Sequence, residues 1–367
     1  MKLRISIIII LVGFILIFQA CSKKAPEGII IFTQVSKSEN RSLNSNLPAA
    51  YIAESQIMAI NPNKKGTQAK LLSKDFYSAC APEISFDGKS MLFAAQKNKG
   101  DSWQVWEMDL NNLKVEKITS FEEDCISPAW LPGQRFVYTK LTDVGTDEKV
   151  FALYAANLDG TNTSQITFSP ISYYSPTVLK DGRIIATSQQ VYPEIGDKNI
   201  VVMRPDGTKQ EIFYQNKNVT AFSKIVETQD ERIVFVKETE ENSSIISLDY
   251  NQPYFNQENL SANLNGSFNS VTCNNDNGLL VLHRSSNSDK YALCEYSMDN
   301  NLVSPIFKND KADILEAAFV KVQERPKNLP SEVNMGVKTG LLVYQDINFY
   351  GIESNANHEI PIAERVE

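Results

Sequence analysis

The chain has 367 residues, with 36 Lys and Arg against 44 Asp and Glu, two His, 42% hydrophobic residues and 22% charged residues. This length allows two ordinary domains or one large β domain, and the composition is that of a folded globular protein. A net charge of −8 offers no basic surface for a phosphate backbone, which excludes nucleic acid from the expected partners, and two histidines are too few for a multi-histidine metal site.

The N-terminus has the features of export and lipid anchoring. Two basic residues precede an apolar run over residues 5–18, which is too short to span a bilayer comfortably and fits the hydrophobic region of a signal peptide. The run ends before Cys21 in a pattern that resembles a bacterial lipobox; the alternative is an ordinary secretory signal that happens to contain a cysteine. We therefore expect a signal peptide over residues 1–20, a lipidated tether over residues 21–28, and attachment to the outer membrane on its periplasmic side through the lipid alone.

The remainder of the chain repeats one segment, in which a proline or small residue, a short strand, a turn and an apolar strand follow one another. The clearest copies begin at Pro82, Pro128 and Pro176, and weaker copies begin near residues 222 and 269. A second series of turns interleaves with the first, so each unit of about 47 residues contains four short strands. This pattern is typical of the blade of a β-propeller.

The count of units predicts six blades. Five complete units are preceded by three strands that lack a first strand, beginning with residues 29–33, and are followed by Ile314–Val322 one period beyond the last unit. A local helix is the competing prediction for Ile314–Val322, but its register and its β-branched residues favour a strand. We therefore predict an all-β, six-bladed propeller of four-stranded antiparallel blades over residues 29–322, closed by pairing of the N-terminal strands with Ile314–Val322. A C-terminal extension over residues 323–367 is predicted to pack back on it.

Two resemblances accompany the repeat. The segment from Pro82 to Lys89, with the sequence Pro-x-x-Ser-x-Asp-Gly-Lys, resembles the TolB-type propeller repeat together with residues 103–109 and 117–119. Residues 128–138 and the passage from 320 to 343 are similar to the propeller domain of proteins like the hydrazine synthase alpha subunit. The resemblance implies a propeller in an exported setting. Those relatives attach haem through Cys-x-x-Cys-His, which this sequence lacks, so we expect no cofactor.

Candidate binding residues gather where the predicted first strands of three blades begin; they are Tyr77, Ser78, Cys80, Glu122, Asp124, Cys125, Tyr173 and Tyr174. Loops on a rigid ring often carry binding groups, and tyrosine offers amphipathic contact area. The alternative is a solvated rim with aromatic spacers. Cys80 and Cys125 occupy nearly equivalent positions in neighbouring blades, where they either form a disulfide or remain two buried thiols. Glu122 to Asp124 could bind a hard cation, but three adjacent side chains point in different directions, so no metal site is predicted.

The sequence contains no nucleophile elbow, phosphate loop or zinc-protease motif. We therefore expect a non-catalytic propeller that binds another envelope protein through its rim and central mouth. One alternative is an enzyme or binding protein for a small molecule or glycan at the mouth, with Glu122, Asp124 or Tyr173 as acid, base or ligand. The other is an accessory subunit of a redox complex.

Overall fold

The computed structural model describes residues 27–36, 51, 54–64, 66, 68–145, 148–274, 278–298, 300–334 and 336–337. The predicted signal peptide, Cys21 and the C-terminal extension beyond residue 337 lie outside these residues. The chain divides into two compact units, Met1–Pro330 and Ser331–Glu367, and all the strands described below belong to the first. In the described part of the chain, no helix has the length and apolar character needed to cross a membrane.

The strands follow one another in the order that the repeat predicts. They are β1 (Ile30–Val35), β2 (Gln56–Ile60), β3 (Lys70–Leu71), β4 (Ser78–Ile84), β5 (Ser90–Gln96), β6 (Gln104–Asp109), β7 (Val115–Lys117), β8 (Cys125–Leu131), β9 (Arg135–Thr142), β10 (Val150–Asn157), β11 (Ser164–Gln165), β12 (Ile171–Val178), β13 (Ile184–Gln190), β14 (Lys198–Met203), β15 (Glu211–Gln215), β16 (Ala221–Phe222), β17 (Val226–Glu227), β18 (Arg232–Glu238), β19 (Ser243–Asp249), β20 (Glu258–Asn259), β21 (Ser267–Cys273), β22 (Leu279–Arg284), β23 (Ala292–Ser297), β24 (Leu302–Phe307) and β25 (Asp313–Phe319).

These strands form six antiparallel sheets, and the predicted six-bladed propeller is confirmed. Blade 1 contains β4–β7, blade 2 contains β8–β11, blade 3 contains β12–β15, blade 4 contains β16–β20, blade 5 contains β21–β24, and blade 6 contains β25 with β1–β3. In blade 4 the two short strands β16 and β17 both pair with β18 and together take the place of one innermost strand. The apolar core lies within and between the blades, because each sheet buries both of its faces against its neighbours.

The ring closes through the pairing predicted between the two ends of the chain. β25 is a strand, with Ile31 opposite Ala318 and Phe32 opposite Ala317 of β25. The first three residues of β25 are buried in a row, as in an innermost strand with neighbours on both faces, whereas a surface helix would have an exposed stripe.

A hydroxyl at the end of each of four blades fixes the start of the third strand. Its oxygen accepts a hydrogen bond of 2.8 to 2.9 Å from a backbone N–H, and the pairs are Ser73 with Ile57, Thr119 with Val105, Thr167 with Leu153 and Ser261 with Ile245. The four hydroxyls keep the same spacing as the repeat. Serine and threonine therefore mark the blade ends in the sequence as clearly as the prolines mark the beginnings.

Bulges in the innermost strands shape the space on the propeller axis. Ala81, Ser127 and Ser175 have positive φ angles of 56°, 50° and 49°, and each directly precedes one of the repeated prolines. The register of β4, β8 and β12 shifts at these points. Proline cannot donate to the ladder, and a bulge bends a strand, so the second half of each strand turns to face the axis.

Candidate functional site

A cavity of about 510 Å³, here called the axial pocket, is lined by the innermost strands of all six blades. It begins at the bulges of Ala81, Ser127 and Ser175 and follows the strands to their C-terminal ends, which we call the mouth. Its size is within the range of pockets that bind small molecules or short chain segments.

The opposite end, where the innermost strands begin, is filled by side chains and is called the plugged end. Tyr51, from the connection between β1 and β2, packs there against Trp103 at 5.1 Å between ring centroids, in a cluster with Cys80, Tyr174 and Leu315. The hydroxyl of Tyr51 accepts a hydrogen bond from the backbone N–H of Ser127. The cluster draws residues from four blades and packs the axis where their innermost strands begin.

An ion pair spans the axial pocket. The Lys224 ammonium of blade 4 contacts the Glu83 carboxylate of blade 1, and these blades stand opposite each other in the ring. The side chains are 30% and 22% exposed, respectively. The indole N–H of Trp130 donates to the backbone oxygen of Glu83 at 2.9 Å, which fixes the strand that carries the carboxylate. This ion pair therefore places one fixed charge of each sign in the pocket, beside the indole of Trp130.

Two other carboxylates of the pocket are also engaged. Glu316 accepts hydrogen bonds from the backbone N–H of Ala81 at 2.9 Å and the Thr33 hydroxyl at 3.3 Å. Glu227 accepts the backbone N–H of Lys180 at 2.7 Å. Burial raises the pKa of Glu227, although this N–H and the charge of Lys180 act in the opposite direction. Such carboxylates hold neighbouring blades together while giving the wall its polarity.

Residues 321–330 form a strap that runs over the mouth. The backbone N–H of Gln323 donates to the oxygen of Phe86 in blade 1 at 2.7 Å, and that of Lys327 donates to the oxygen of Lys180 in blade 3 at 2.9 Å. Several strap residues, from Lys321 to Pro326, line the pocket. The strap therefore covers part of the mouth, and a ligand in the pocket would contact it.

The turn of blade 3 under the strap is held by Asp181. Its carboxylate accepts a hydrogen bond from Arg183 Nε at 2.8 Å and another from the Tyr250 hydroxyl of blade 4. Burial acts to raise the pKa of Asp181, but the hydrogen bonds and the Arg183 charge outweigh it and lower the pKa. Gly182 follows, with φ +92°, and a Cβ there would lie 2.2 Å from the backbone oxygen of Lys327. Only glycine lets the strap lie this close.

The rim residues predicted from the sequence lie at the plugged end, and among the described residues none of them lines the axial pocket. Five are buried: Ser78, Cys80, Cys125, Tyr173 and Tyr174. Ser78 accepts the backbone N–H of Glu54 at 2.7 Å, and the Tyr173 hydroxyl donates to Gln210 at 3.0 Å. These side chains stabilise the ends of the innermost strands.

The remaining predicted rim residues are more accessible but do not form one site. Glu122 is exposed, whereas Tyr77 and Asp124 are half-buried. Asp124 accepts the backbone N–H of Trp103 at 2.8 Å, and burial raises its pKa despite this hydrogen bond. Asp124 thus fixes the third strand of blade 1, while the Glu122 backbone oxygen accepts a hydrogen bond from Ser102.

Cys80 and Cys125 are free thiols in the structure, so the disulfide alternative is not formed. The reason is packing: Cys80 belongs to the Tyr51 cluster, while Cys125 packs with Trp130 and Phe136 in another. Burial raises the pKa of Cys125 to about 12. Both thiols are therefore core residues with low reactivity.

The sequence analysis predicted binding at the central mouth and an extension from residue 323 that packs back on the propeller, but it did not identify the residues that line the pocket. The available signal was the presence of charged residues in otherwise apolar innermost strands, as with Glu83 beside Ile84, Lys224 beside Ile225, and Glu316 beside Leu315. A carboxylate or ammonium at such a position must face either a partner or the axis.

No protein-family model matches the sequence. Over 108 residues the chain is 32% identical to hydrazine synthase subunit alpha of Kuenenia stuttgartiensis, covering 29% of this chain and 13% of that protein. The fold is similar to Kuenenia stuttgartiensis hydrazine synthase, with a TM-score of 0.69 and 20% identity over 83% of this chain and 48% of that chain. It is also similar to TolB from Acinetobacter baumannii, with a TM-score of 0.56 and 16% identity over 83% and 70% of the two chains.

A chain of the nidogen/laminin complex has a TM-score of 0.57 and 13% identity over 80% of this chain and 99% of that chain. The protein spans less than half of the hydrazine synthase chain that it matches. The comparisons therefore establish the fold, a six-bladed β-propeller similar to those of hydrazine synthase and TolB.

Proposed function

We propose that the protein is a binding propeller that receives a segment of a partner protein in its axial pocket. The observation that carries this proposal is the pocket itself, which has walls from all six blades, with the packed cluster around Tyr51 at the plugged end and the strap across the mouth. A concave site whose walls combine apolar and aromatic surface with fixed charged groups suits an inserted peptide segment, which offers both kinds of contact. The likeness to a propeller in the nidogen/laminin complex supports a role in protein binding.

The ion pair and hydrogen bonds of the pocket carboxylates support a binding function rather than a catalytic one. Glu83 is paired with Lys224, and Glu316 and Glu227 each accept backbone N–H groups. A general acid or base must reach the reacting atoms of a substrate, and carboxylates committed to neighbouring blades are poorly suited to that task. The residues first considered as catalytic, Asp124 among them, lie at the plugged end, away from the pocket lining.

The proposed setting is the cell envelope, with attachment through a lipid on Cys21 and an envelope protein as partner. It is supported by the apolar run and the lipobox-like pattern of the N-terminus. We expect labelled palmitate to be incorporated into the wild-type protein but not into the Cys21→Ser variant, and the wild type to sediment with outer membranes. Equal labelling of both proteins, or of neither, would contradict the anchor.

The similarity to hydrazine synthase subunit alpha over 108 residues supports a second candidate, an accessory subunit of a redox complex. Both candidates predict a protein partner, but they differ in the kind of partner. One crosslinking experiment that identifies the partner therefore separates them. A photo-crosslinking amino acid replaces Gln229, an exposed residue lining the pocket, or Glu240, an exposed residue on the opposite end of the same blade. Crosslinking is carried out in the intact cell envelope.

We expect a single stoichiometric partner to be crosslinked from position 229 and not from position 240. A partner with covalently bound haem would select the redox candidate, and a partner without haem would select the scaffold. Crosslinking from position 240 alone, or none from position 229, would refute binding at the mouth. Replacement of Lys224 by Glu in the position-229 variant should weaken the crosslink because it puts two negative charges together on the pocket axis.

A further inference from the structure

We infer that the mouth of the axial pocket faces the membrane to which the chain is anchored, so that the inserted segment comes from a partner attached to that same membrane. This inference rests on the proposed lipidation of Cys21. Its structural basis is the position of Gly28 at the start of the described chain and the short segment between Gly28 and Cys21.

The described part of the chain begins at the mouth, next to the axis. The backbone N–H of Gly28 donates to the oxygen of Val320 at 2.9 Å, and the N–H of Val320 donates to the oxygen of Ile29 at 2.9 Å. Val320 directly follows the innermost strand of blade 6 and precedes Lys321, which lines the pocket. The tether therefore leaves the propeller beside the opening of the pocket.

The tether is too short to place the plugged end on the bilayer. The distance from Cys21 to Gly28 is at most about 25 Å, since an extended chain spans about 3.3 to 3.6 Å per residue. A route to the other face would pass over β2 and β3, about 10 Å at about 4.8 Å per strand. It would then follow the height of a blade, about 23 Å for a strand of seven residues such as β25. The sum of about 33 Å exceeds the reach of the tether.

The exposed side chains favour the mouth over the outer edge of blade 6 as the surface nearest the membrane. Several large apolar or aromatic side chains at the mouth end are widely exposed, among them Phe255 at 86%, Val322 at 60% and Tyr254 at 54%. Phe168 and Ile195 at the plugged end are exposed to a similar degree, so it is the tether length that separates the two ends, and the exposure separates the mouth from the outer edge of blade 6. The outer edge of blade 6, by contrast, is the short strand Lys70–Leu71, which lies close to the exposed residues Lys74 and Asp75. Aromatic and apolar side chains are stabilised at a membrane interface, whereas a charged edge gains little from it.

The test measures which end of one blade lies nearer to the lipid. Single dyes are attached to the Gln229→Cys and Glu240→Cys variants of the lipidated protein, reconstituted in phosphatidylethanolamine and phosphatidylglycerol vesicles that contain an acceptor-labelled lipid. Both positions are exposed and belong to blade 4, at the mouth and at the plugged end, so each serves as the control of the other. Cys80, Cys125 and Cys294 are buried and the half-buried Cys273 is replaced by Ser, so a thiol dye applied to the folded protein reacts with the introduced cysteine.

We expect energy transfer to be at least about twofold stronger from position 229, because position 240 lies about one blade height farther from the lipid. Insertion of a long flexible Gly-Ser segment after Lys24 should reduce this difference, because it releases the constraint of the tether. Equal transfer, or stronger transfer from position 240, would overturn the inference and leave binding at the mouth untouched. Absence of lipidation would overturn both the anchor and this inference, while the crosslinking result would still decide the function of the pocket.

Discussion

Replacement of Gly182 by Ala tests the contact between the strap and blade 3. A residue with a Cβ at φ +92° costs about 1 to 2 kcal/mol relative to glycine. The new Cβ would also lie 2.2 Å from the Lys327 oxygen, so the strap must move. This movement breaks the hydrogen bond from the Lys327 N–H to Lys180, which contributes about 0.5 to 1.5 kcal/mol. The free energy of unfolding should therefore fall by about 1.5 to 3.5 kcal/mol in total.

Gly133 provides the matched control, because it occupies the corresponding turn of blade 2 with φ +79° and no atom lies within 4 Å of its would-be Cβ. Gly133→Ala should lose only the backbone cost of about 1 to 2 kcal/mol. Urea unfolding gives both values, and tryptic cleavage after Lys327 reports on the strap directly. We expect a larger loss and faster cleavage for Gly182→Ala. Equal losses and equal cleavage rates in the two variants would refute the packing of the strap on this glycine.

Three further predictions concern the pocket, the turn beneath the strap and the thiols. Glu83→Gln and Lys224→Met should each destabilise the protein, since each leaves a half-buried charge without its partner. The double variant should lose about 1 kcal/mol less than the sum of the two single losses. Urea-unfolding free energies that simply add would refute the ion pair. The lowered pKa of Asp181 contributes stability above the pKa of the unfolded chain. Asp181→Asn should therefore be less stable than the wild type at neutral pH, and the difference in unfolding free energy should disappear as the pH falls through the folded pKa. A difference that persists in strong acid would contradict this. Cys80 and Cys125 should resist a thiol reagent in the folded protein and react fully in denaturant without reductant, whereas a disulfide would leave both unreactive.

The propeller ring could be predicted because the sequence features that produce its blades are local and recur along the chain. Each innermost strand of blades 1 to 3 places a proline after a residue with positive φ, and this pair recurs once per blade over these three blades. The strand Ile314–Val322 was the hardest element, since Leu315 to Ala318 also suits a helix. Pairing with β1 decided the outcome, because the strand satisfies the backbone groups of the first chain segment and closes the circle.

The pocket could not be predicted because its contacts join residues that are distant in sequence. Glu83 and Lys224 are 141 positions apart and meet only because blades 1 and 4 stand on opposite sides of the axis. Periodicity places each residue in its blade, but it does not reveal which end of the innermost strands stays open. That depends on Tyr51 and on the strap, and both belong to segments outside the repeat.

The residues predicted for the rim lie where the innermost strands begin, and five of the eight are buried there. Tyr173 and Tyr174 are consecutive in β12, so their side chains point to opposite faces, and in an innermost strand both faces are covered by neighbouring blades. An aromatic pair in a loop would have been exposed. The innermost strands of these blades begin a few residues earlier than the repeat indicated. Residues that were expected in a surface loop therefore lie inside a strand and pack in the core.

The shape of the axial pocket is therefore determined by two segments that lie outside the repeat. The six blades supply a ring of bulged strands, which any propeller with the same prolines could build; Tyr51 closes one end and residues 321–330 narrow the other. A partner segment entering at the mouth would contact the strap before it reached Glu83 and Lys224. Selectivity for the partner should accordingly reside in the strap and the ion pair, and the repeated turns should tolerate substitution wherever, as at Gly133, no second segment lies against them.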